Sequence, residues 1–257
     1  MKELPPEDDT GPRTAGGRRK RAGDQEIAVA AKPLRQRLST ENRERQILDG
    51  AIAFFSERGL DGQTRELAQQ IGITHPLLYH YFPNKRALIE RVYEEVYLGR
   101  WRNEWEEWIE DRSQPLEDRL VRFYIDYARA ILTKEWVRIL VFSGLSDGYV
   151  PDQYMQLLKE RLFPHIWREV RHELGISNRD KPTERELELM WGMHGGIFYI
   201  GVRRWIYGQP MPSDLEAVLA DRVHAFMLAT PSVFSAAGSG PSPGRSGSAP
   251  SGNRRTP

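Results

Sequence analysis

Apolar side chains recur along most of this chain at intervals of three and four residues, the period of one helix face. Across residues 40–57, Ile47, Ala51, Phe54 and Phe55 follow that spacing, with Ser39 or Thr40 placed to cap the start. Gly59 then ends the helix, and Leu60-Asp61-Gly62 reads as a turn. A shorter stretch, 64–71, sets Leu67, Ala68 and Ile71 on one side and stops at Gly72. Asn84 is placed to cap a long helix reaching about Glu110. Pro115, Pro151 and Pro182 open further amphipathic stretches, where a missing N–H is harmless. Residues 183–207 and 213–229 read as two closing helices. Val, Ile and Thr alternate over no long run, so the pattern predicts an all-α chain.

One segment departs from this rhythm. GITHPLLYHYFPNK, residues 72–85, is short, aromatic and bracketed by prolines. Thr74 can cap a short helix, and Pro76 then falls in its first turn, where the absent N–H had no partner. Pro83 drives Phe82 out of helical geometry and closes the helix. A helix this short is unstable alone in water, so it needs packing, which Leu78 and Phe82 at i and i+4 supply. Its other face carries His75, Pro76, Tyr79 and His80. A preceding helix joined by Gly72-Ile73-Thr74 to a short helix with a polar-aromatic outer face is a helix-turn-helix, whose second helix enters a major groove. Lys85, opening the next helix, is placed to hold a phosphate by charge and free amides together.

On these residues the chain resembles the DNA-binding domain of the tetracycline-repressor (TetR) family. That family's pattern appears as Ala51, Phe55 and Gly59, then Leu67-Ala68 and Gly72-Ile73-Thr74, then Leu78-Tyr79-His80-Tyr81-Phe82-Pro83-Asn84-Lys85, across about residues 40–92. The resemblance implies a three-helix DNA-binding domain at 39–92 fused to an all-helical ligand-binding and dimerisation domain at 93–230. It implies three partners: double-stranded DNA, a second copy of the chain and a small molecule. Thr40, Thr74, His75, Pro76, Leu77, Tyr79, His80 and Lys85 are the residues expected to meet DNA. Two positions depart from many members, which have Gly where this chain has Pro76 and Thr or Ser where it has Leu77. Leu77 cannot hydrogen-bond, so it meets a thymine methyl or simply packs.

Beyond residue 92 the aromatics stand out. Trp101, Trp105 and Trp108 form an i, i+4, i+7 stripe, followed by Phe123, Tyr124, Tyr127, Trp136 and Phe142. Such stripes usually mean core, and equally supply the lining of a small-molecule site. The first closing helix holds Gly192, Gly195, Gly196 and Gly201, each costing roughly 1 kcal/mol against Ala. Close approach of another helix offsets that cost. In the resembled family the last two helices build the dimer, which implicates Gly192, Gly195, Gly196, Ile200, Trp205, Leu215, Leu219 and Val223.

Composition narrows the classes. The 257 residues include no cysteine, which removes disulfides and thiolate metal sites and suits a reducing compartment. The N-terminus lacks a secretory apolar region, and the longest apolar runs fall far short of the ~20 residues a membrane span needs. A soluble cytoplasmic protein, with no membrane partner and no cofactor, is the expectation. Gly144-Leu145-Ser146-Asp147-Gly148 fits the G-x-S-x-G elbow of hydrolases, with residues 137–142 before it apolar enough for a strand. The elbow needs a parallel sheet, and the His194-Gly195-Gly196 that resembles an oxyanion loop follows the serine instead of preceding it. No catalytic residue is assigned and the chain is read as a non-enzyme. His165 and His172 are seven apart with no ligand spacing around them, so no metal site is assigned.

Residues 1–38 and 231–257 are too poor in large apolar groups to offset ordering and read as a disordered basic arm and a disordered Ser/Gly/Pro tail. Within 11–37, eight basic side chains face only Asp24 and Glu26, a net +6 beside the first helix. Lys and Arg near phosphates release counterions, so affinity falls with salt. Deleting residues 1–37 should weaken DNA binding at low salt and flatten the slope of log K against log salt, leaving sequence preference unchanged. An identical slope would make the arm inert.

Overall fold

The computed structural model describes residues 39–146, 148–178 and 181–234. The arm and most of the tail lie outside them, as does Asp147. Every regular element among the described residues is helical.

Helix α1 (Thr40–Arg58) starts where Ser39 accepts the Asn42 N–H at 3.2 Å and ends at Gly59. Helices α2 (Thr64–Gln70) and α3 (His75–Tyr81) follow, separated by Gly72. Gly72 has φ 71°, a left-handed conformation that a β-carbon disfavours, and it turns the chain sharply between the two helices. Asn84 caps α4 (Lys85–Val96), accepting the Ala87 N–H at 2.8 Å. After a 3₁₀ turn at Leu98–Arg100 come α5 (Glu104–Glu110), α6 (Leu116–Ile131), α7 (Lys134–Gly144) and α8 (Tyr149–Leu157). A π turn, Leu158–Leu162, leads into α9 (Phe163–Glu173). Helices α10 (Glu184–Trp205) and α11 (Leu215–Phe234) pack on each other and on α6 and α7.

Several boundaries differ from the pattern. The helix capped by Asn84 stops at Val96 instead of reaching Glu110. Arg100 donates to the Ala130 carbonyl at 2.8 Å and to Thr133 Oγ1 at 2.9 Å, which ties the 3₁₀ turn to the end of α6. A boundary at residue 92 would cut α4, whose Val92, Tyr93 and Val96 belong to one core shared with α1 and α7. The closing helix runs through Pro231 to Phe234, which is 1% exposed, so the tail cannot begin at 231. Pro231 has no N–H for the Met227 carbonyl, and the Thr230 hydroxyl donates to that carbonyl instead, at 2.8 Å. Residues 137–142, readable as a strand, lie within α7.

The aromatic stripe is packed ring against ring. Trp105, Phe123, Tyr124, Tyr127 and Trp136 are all at most 1% exposed. Trp105 stands edge-on to Phe123 and Tyr127, with centroids 5.8 and 5.3 Å apart. Trp101 and Trp108 lie half-buried on the same core, and Phe142 is half-buried under Arg138. Apart from Phe142, these side chains belong to the core instead of lining a ligand site.

Ile200, Leu219 and Val223 are also interior, at 1%, 0% and 0% exposure. Trp205 donates its indole N–H to the Leu132 carbonyl at 2.8 Å, and Leu215 is half-buried. They hold α10 and α11 to their own chain rather than presenting a surface to another. The close helix crossing is at Gly201, where an added β-carbon would sit 2.8 Å from Val137 and 3.0 Å from Leu132. At Gly196 it would meet the Arg222 guanidinium, whereas Gly192 and Gly195 are open to 4 Å.

At the centre of this core His194 is 4% exposed, with only Tyr127 OH near Nε2, at 3.3 Å. Burial pushes its imidazolium pKa down to about 3 from 6.5. The folded state therefore keeps His194 neutral while the unfolded chain takes a proton below pH 6.5, so stability falls as pH drops from 6.5 toward 3. The loss should approach about 1.4 kcal/mol per pH unit. Thermal melts from pH 7 to 4.5 should show this decline in the wild type and a flatter one in His194→Gln. Parallel curves would remove His194 as the cause.

Candidate nucleic-acid interface

The interface is built on α3, which is seven residues long. Thr74 Oγ1 accepts the Leu77 N–H at 3.3 Å, Pro76 lies in the first turn, and Phe82 leaves the helix with ψ 104° ahead of Pro83. Leu78 and Phe82 enter the core at 1% and 6% exposure. That fixes the opposite side outward: Thr74, Pro76 and His80 are exposed, Tyr79 is 36% exposed, and His75 and Leu77 are half-buried. Thr40 is exposed at the start of α1.

Thr64, which no sequence motif marks, organises this face. Its Oγ1 lies 3.0 Å from His75 Nε2 and 3.0 Å from Tyr79 OH. The two rings meet edge to face at 4.8 Å. One hydroxyl can donate to one partner and accept from the other, so both are served. His75 and Tyr79 are thus held by α2, while His80 stands edge to face with Tyr81, with centroids 5.4 Å apart. A threonine at the first position of a helix looks like a simple cap, and nothing local in the sequence distinguishes the tie.

Lys85 lies at the start of α4, beside an open hollow of about 430 Å³ that is also lined by Gln63, Thr64, Arg65 and His75. Arg65, exposed in the first turn of α2, is a second cation beside it that no motif marks. Asp61 also borders the hollow, with a carboxylate oxygen that accepts the Ser146 hydroxyl at 2.7 Å. Two cations, the His75 imidazole and the amide end of α4 converge on one edge, an arrangement that suits phosphate oxygens. The exposed side chains of α3 beside it suit base edges.

The same geometry disposes of the hydrolase elbow. Ser146 is an exposed loop residue engaged with Asp61, and His194, Gly195 and Gly196 lie inside α10. His165 faces Glu106 and Glu110, at 3.8 and 2.7 Å, but Arg161 and Arg168 already neutralise those carboxylates. No group of three or more His, Cys, Asp or Glu among the described residues is disposed to hold a metal. No described helix is long and apolar enough to cross a membrane.

Fold and site together define a helix-turn-helix DNA-binding domain carried on a larger helical body. Residues 47–92 match the family model described as bacterial regulatory proteins, tetR family. The chain is 45% identical over 56 residues to the tetracycline repressor protein class D of Escherichia coli, covering 21% of this chain and a quarter (25%) of that protein. It is 20% identical over 181 residues to the HTH-type transcriptional regulator SrpR of Pseudomonas putida, covering 63% and 76% of the two. Its fold matches a TetR-like transcriptional regulator from Rhodococcus sp. RHA1 with a TM-score of 0.56, at 18% identity over 76% of this chain and 99% of that one. Residues 47–92 thus form a DNA-binding domain of the tetR family, and the chain spans only about a quarter of the length of the tetracycline repressor it matches.

Thr64→Val keeps the shape and removes both ties, at a cost of about 1 kcal/mol of stability. It should weaken binding to all DNA sequences alike, because it loosens Tyr79 and His75 without touching bases. Lys85→Ala should do the same through a lost phosphate contact. His80→Ala should instead relax preference at one position by about 1–3 kcal/mol. Site profiles selected from a random DNA pool separate these outcomes, and an unaltered His80→Ala profile would remove it from base readout.

Proposed function

We propose that this chain is a cytoplasmic transcription regulator that binds a pseudo-palindromic DNA operator as a homodimer. Its usual action is repression by occupying a promoter, and a small apolar or aromatic ligand changes its affinity for DNA. The observation that carries this is α3: a short helix fixed by Leu78, Phe82 and Thr64, with an outer edge flanked by Lys85 and Arg65.

A single recognition helix reads too few base pairs for a specific site, and two must be about one helical turn apart, ~34–36 Å, to read one face of DNA. The surface favoured for pairing is the outer stripe of α10 and α11. Gly192 and Gly195 lie there with nothing within 4 Å of an added β-carbon, and Tyr199 on α10 and Leu228 on α11 are exposed. Bare backbone on an outward helix face lets a second helix approach closely. The buried members of the expected dimer set serve only by holding these helices in place.

This makes Gly195→Leu a clean test. Within one chain an added β-carbon meets nothing within 4 Å, and helix propensity rises, so the fold should tolerate it. Sedimentation at micromolar concentration should show a dimer for the wild type and a shift toward monomer for Gly195→Leu, with loss of operator affinity. A variant that stays dimeric would move the interface elsewhere. A wild type that binds DNA as a monomer would sink the architecture.

A further inference from the structure

A cavity of about 420 Å³ lies between α9 and α10, within the roughly 300–1,000 Å³ range of small-molecule sites. Phe163 and Trp167 line it from α9, and Leu187, Met190 and Trp191 from α10. Phe163 and Trp191 meet edge to face with centroids 4.4 Å apart, so the two helices share one aromatic corner. Trp167 is fixed in advance: its indole N–H donates to Glu186 at 3.3 Å, and the Arg171 guanidinium lies 4.5 Å from its ring centre. A wall ordered before binding spares the ligand that entropy.

The rim carries two cations, Lys159 and Arg168. Arg168 is paired with Glu110 at 3.0 Å. Lys159 is exposed and has no acidic or hydrogen-bonding partner among the described residues. It stands on the π turn, a register change often found at functional sites, and Pro164 just beyond it also lines the cavity. An apolar aromatic corner with one uncommitted ammonium at its mouth suits a molecule with an apolar body and one negative charge. The chain's own residues 235–257 fit poorly, since they contain no aromatic or branched aliphatic side chain and bring Arg245, Arg254 and Arg255.

We propose that this cavity binds a small hydrophobic acid, an aromatic body bearing one carboxylate, with Lys159 taking the carboxylate, and that its occupancy is what alters DNA affinity. The second half rests on the regulator reading above. Helix α10 connects the two sites: it walls the cavity at Met190 and Trp191, and its last carbonyl, at Trp205, accepts from Arg138 at 3.1 Å. Arg138 Nε also donates to the Ser56 carbonyl of α1 at 2.6 Å.

Naphthalene-1-carboxylate and its methyl ester, added to the full-length chain, test this by melting temperature, tryptophan fluorescence and affinity for DNA selected from a random pool. The acid should raise Tm and change DNA affinity, and DNA should reciprocally change acid affinity. Lys159→Gln, a surface change, should weaken the acid ~10-fold and leave the ester unaffected. Leu187→Trp, which fills a half-exposed edge, should abolish both while DNA binding without ligand persists. Failure of the acid to bind at millimolar concentration overturns the site, as does binding indifferent to both variants. Binding with no effect on DNA affinity overturns the trigger. If a chain ending at Phe234 shows altered tryptophan emission without ligand and binds the acid more tightly, the tail is the occupant and the proposal falls. Loss of all sequence-selective DNA binding would instead refute the regulator reading, with acid binding to the cavity still measurable.

Discussion

The structure depends on stabilising a helix that cannot stabilise itself. Seven residues of α3 close too few hydrogen bonds to offset the cost of nucleation. Every nearby feature reduces that cost. Thr74 satisfies an orphan amide, Pro76 fixes the first turn, and Pro83 sets the end. Leu78 and Phe82 anchor one side in the core, and Thr64 holds the other through His75 and Tyr79. The hydroxyl tie also orders two side chains that would otherwise lose rotamer freedom on meeting DNA, so part of the entropy of recognition is spent on folding.

The recognition helix is also tied to the rest of the chain. The connection runs through α7. Arg138 places one guanidinium between the Ser56 carbonyl, in the last turn of α1, and the Trp205 carbonyl that ends α10. Helix C-termini carry partial negative charge and unpaired carbonyls, so a cation between two of them is favourable to both. Lys134 with Glu57 and Ser146 with Asp61 add further ties between the DNA-binding helices and the body. With one core running through α1, α4 and α7, the two parts are not independent modules joined by a linker.

The helix-turn-helix was legible because its determinants are local. Caps, glycines, prolines and the i, i+4 pair Leu78 and Phe82 lie within one short window, and each acts on its neighbours. What the sequence did not reveal is tertiary. The role of Thr64 requires α3 folded over α2. The Trp101, Trp105, Trp108 stripe continues the period of α4, so periodicity alone gave no break at Val96, which is set by Arg100 reaching α6. Pro231 looked like a stop because the hydroxyl that compensates for it is invisible to pattern. Helices α10 and α11 are apolar on more than one face, and periodicity does not say which face meets its own chain. Ile200, Leu219 and Val223, expected at an intersubunit surface, are therefore interior instead.

Charge, buried where it is least expected, explains how a hollow survives beside a well-packed core. Helix α9 is held to α10 by Arg171 and Glu186, at 2% and 0% exposure, and to α6 and the loop before it by Glu169 with Arg119 and Arg112. Burial raises both carboxyl pKa values. For Glu186, the Thr183 N–H, Arg171 and Trp167 more than reverse it, and for Glu169 the two arginines do. Both end below the usual carboxylate range and remain ionised. Such pairs add little net stability, since desolvation offsets their attraction, but losing one partner is costly. They therefore constrain position more than they add energy. Apolar surfaces slide to close a void, because each contact is weak and non-directional. A helix located by directional ion pairs on both flanks cannot slide freely, so the space between Phe163, Trp167 and Trp191 stays open and its aromatic walls stay unpaired on one side.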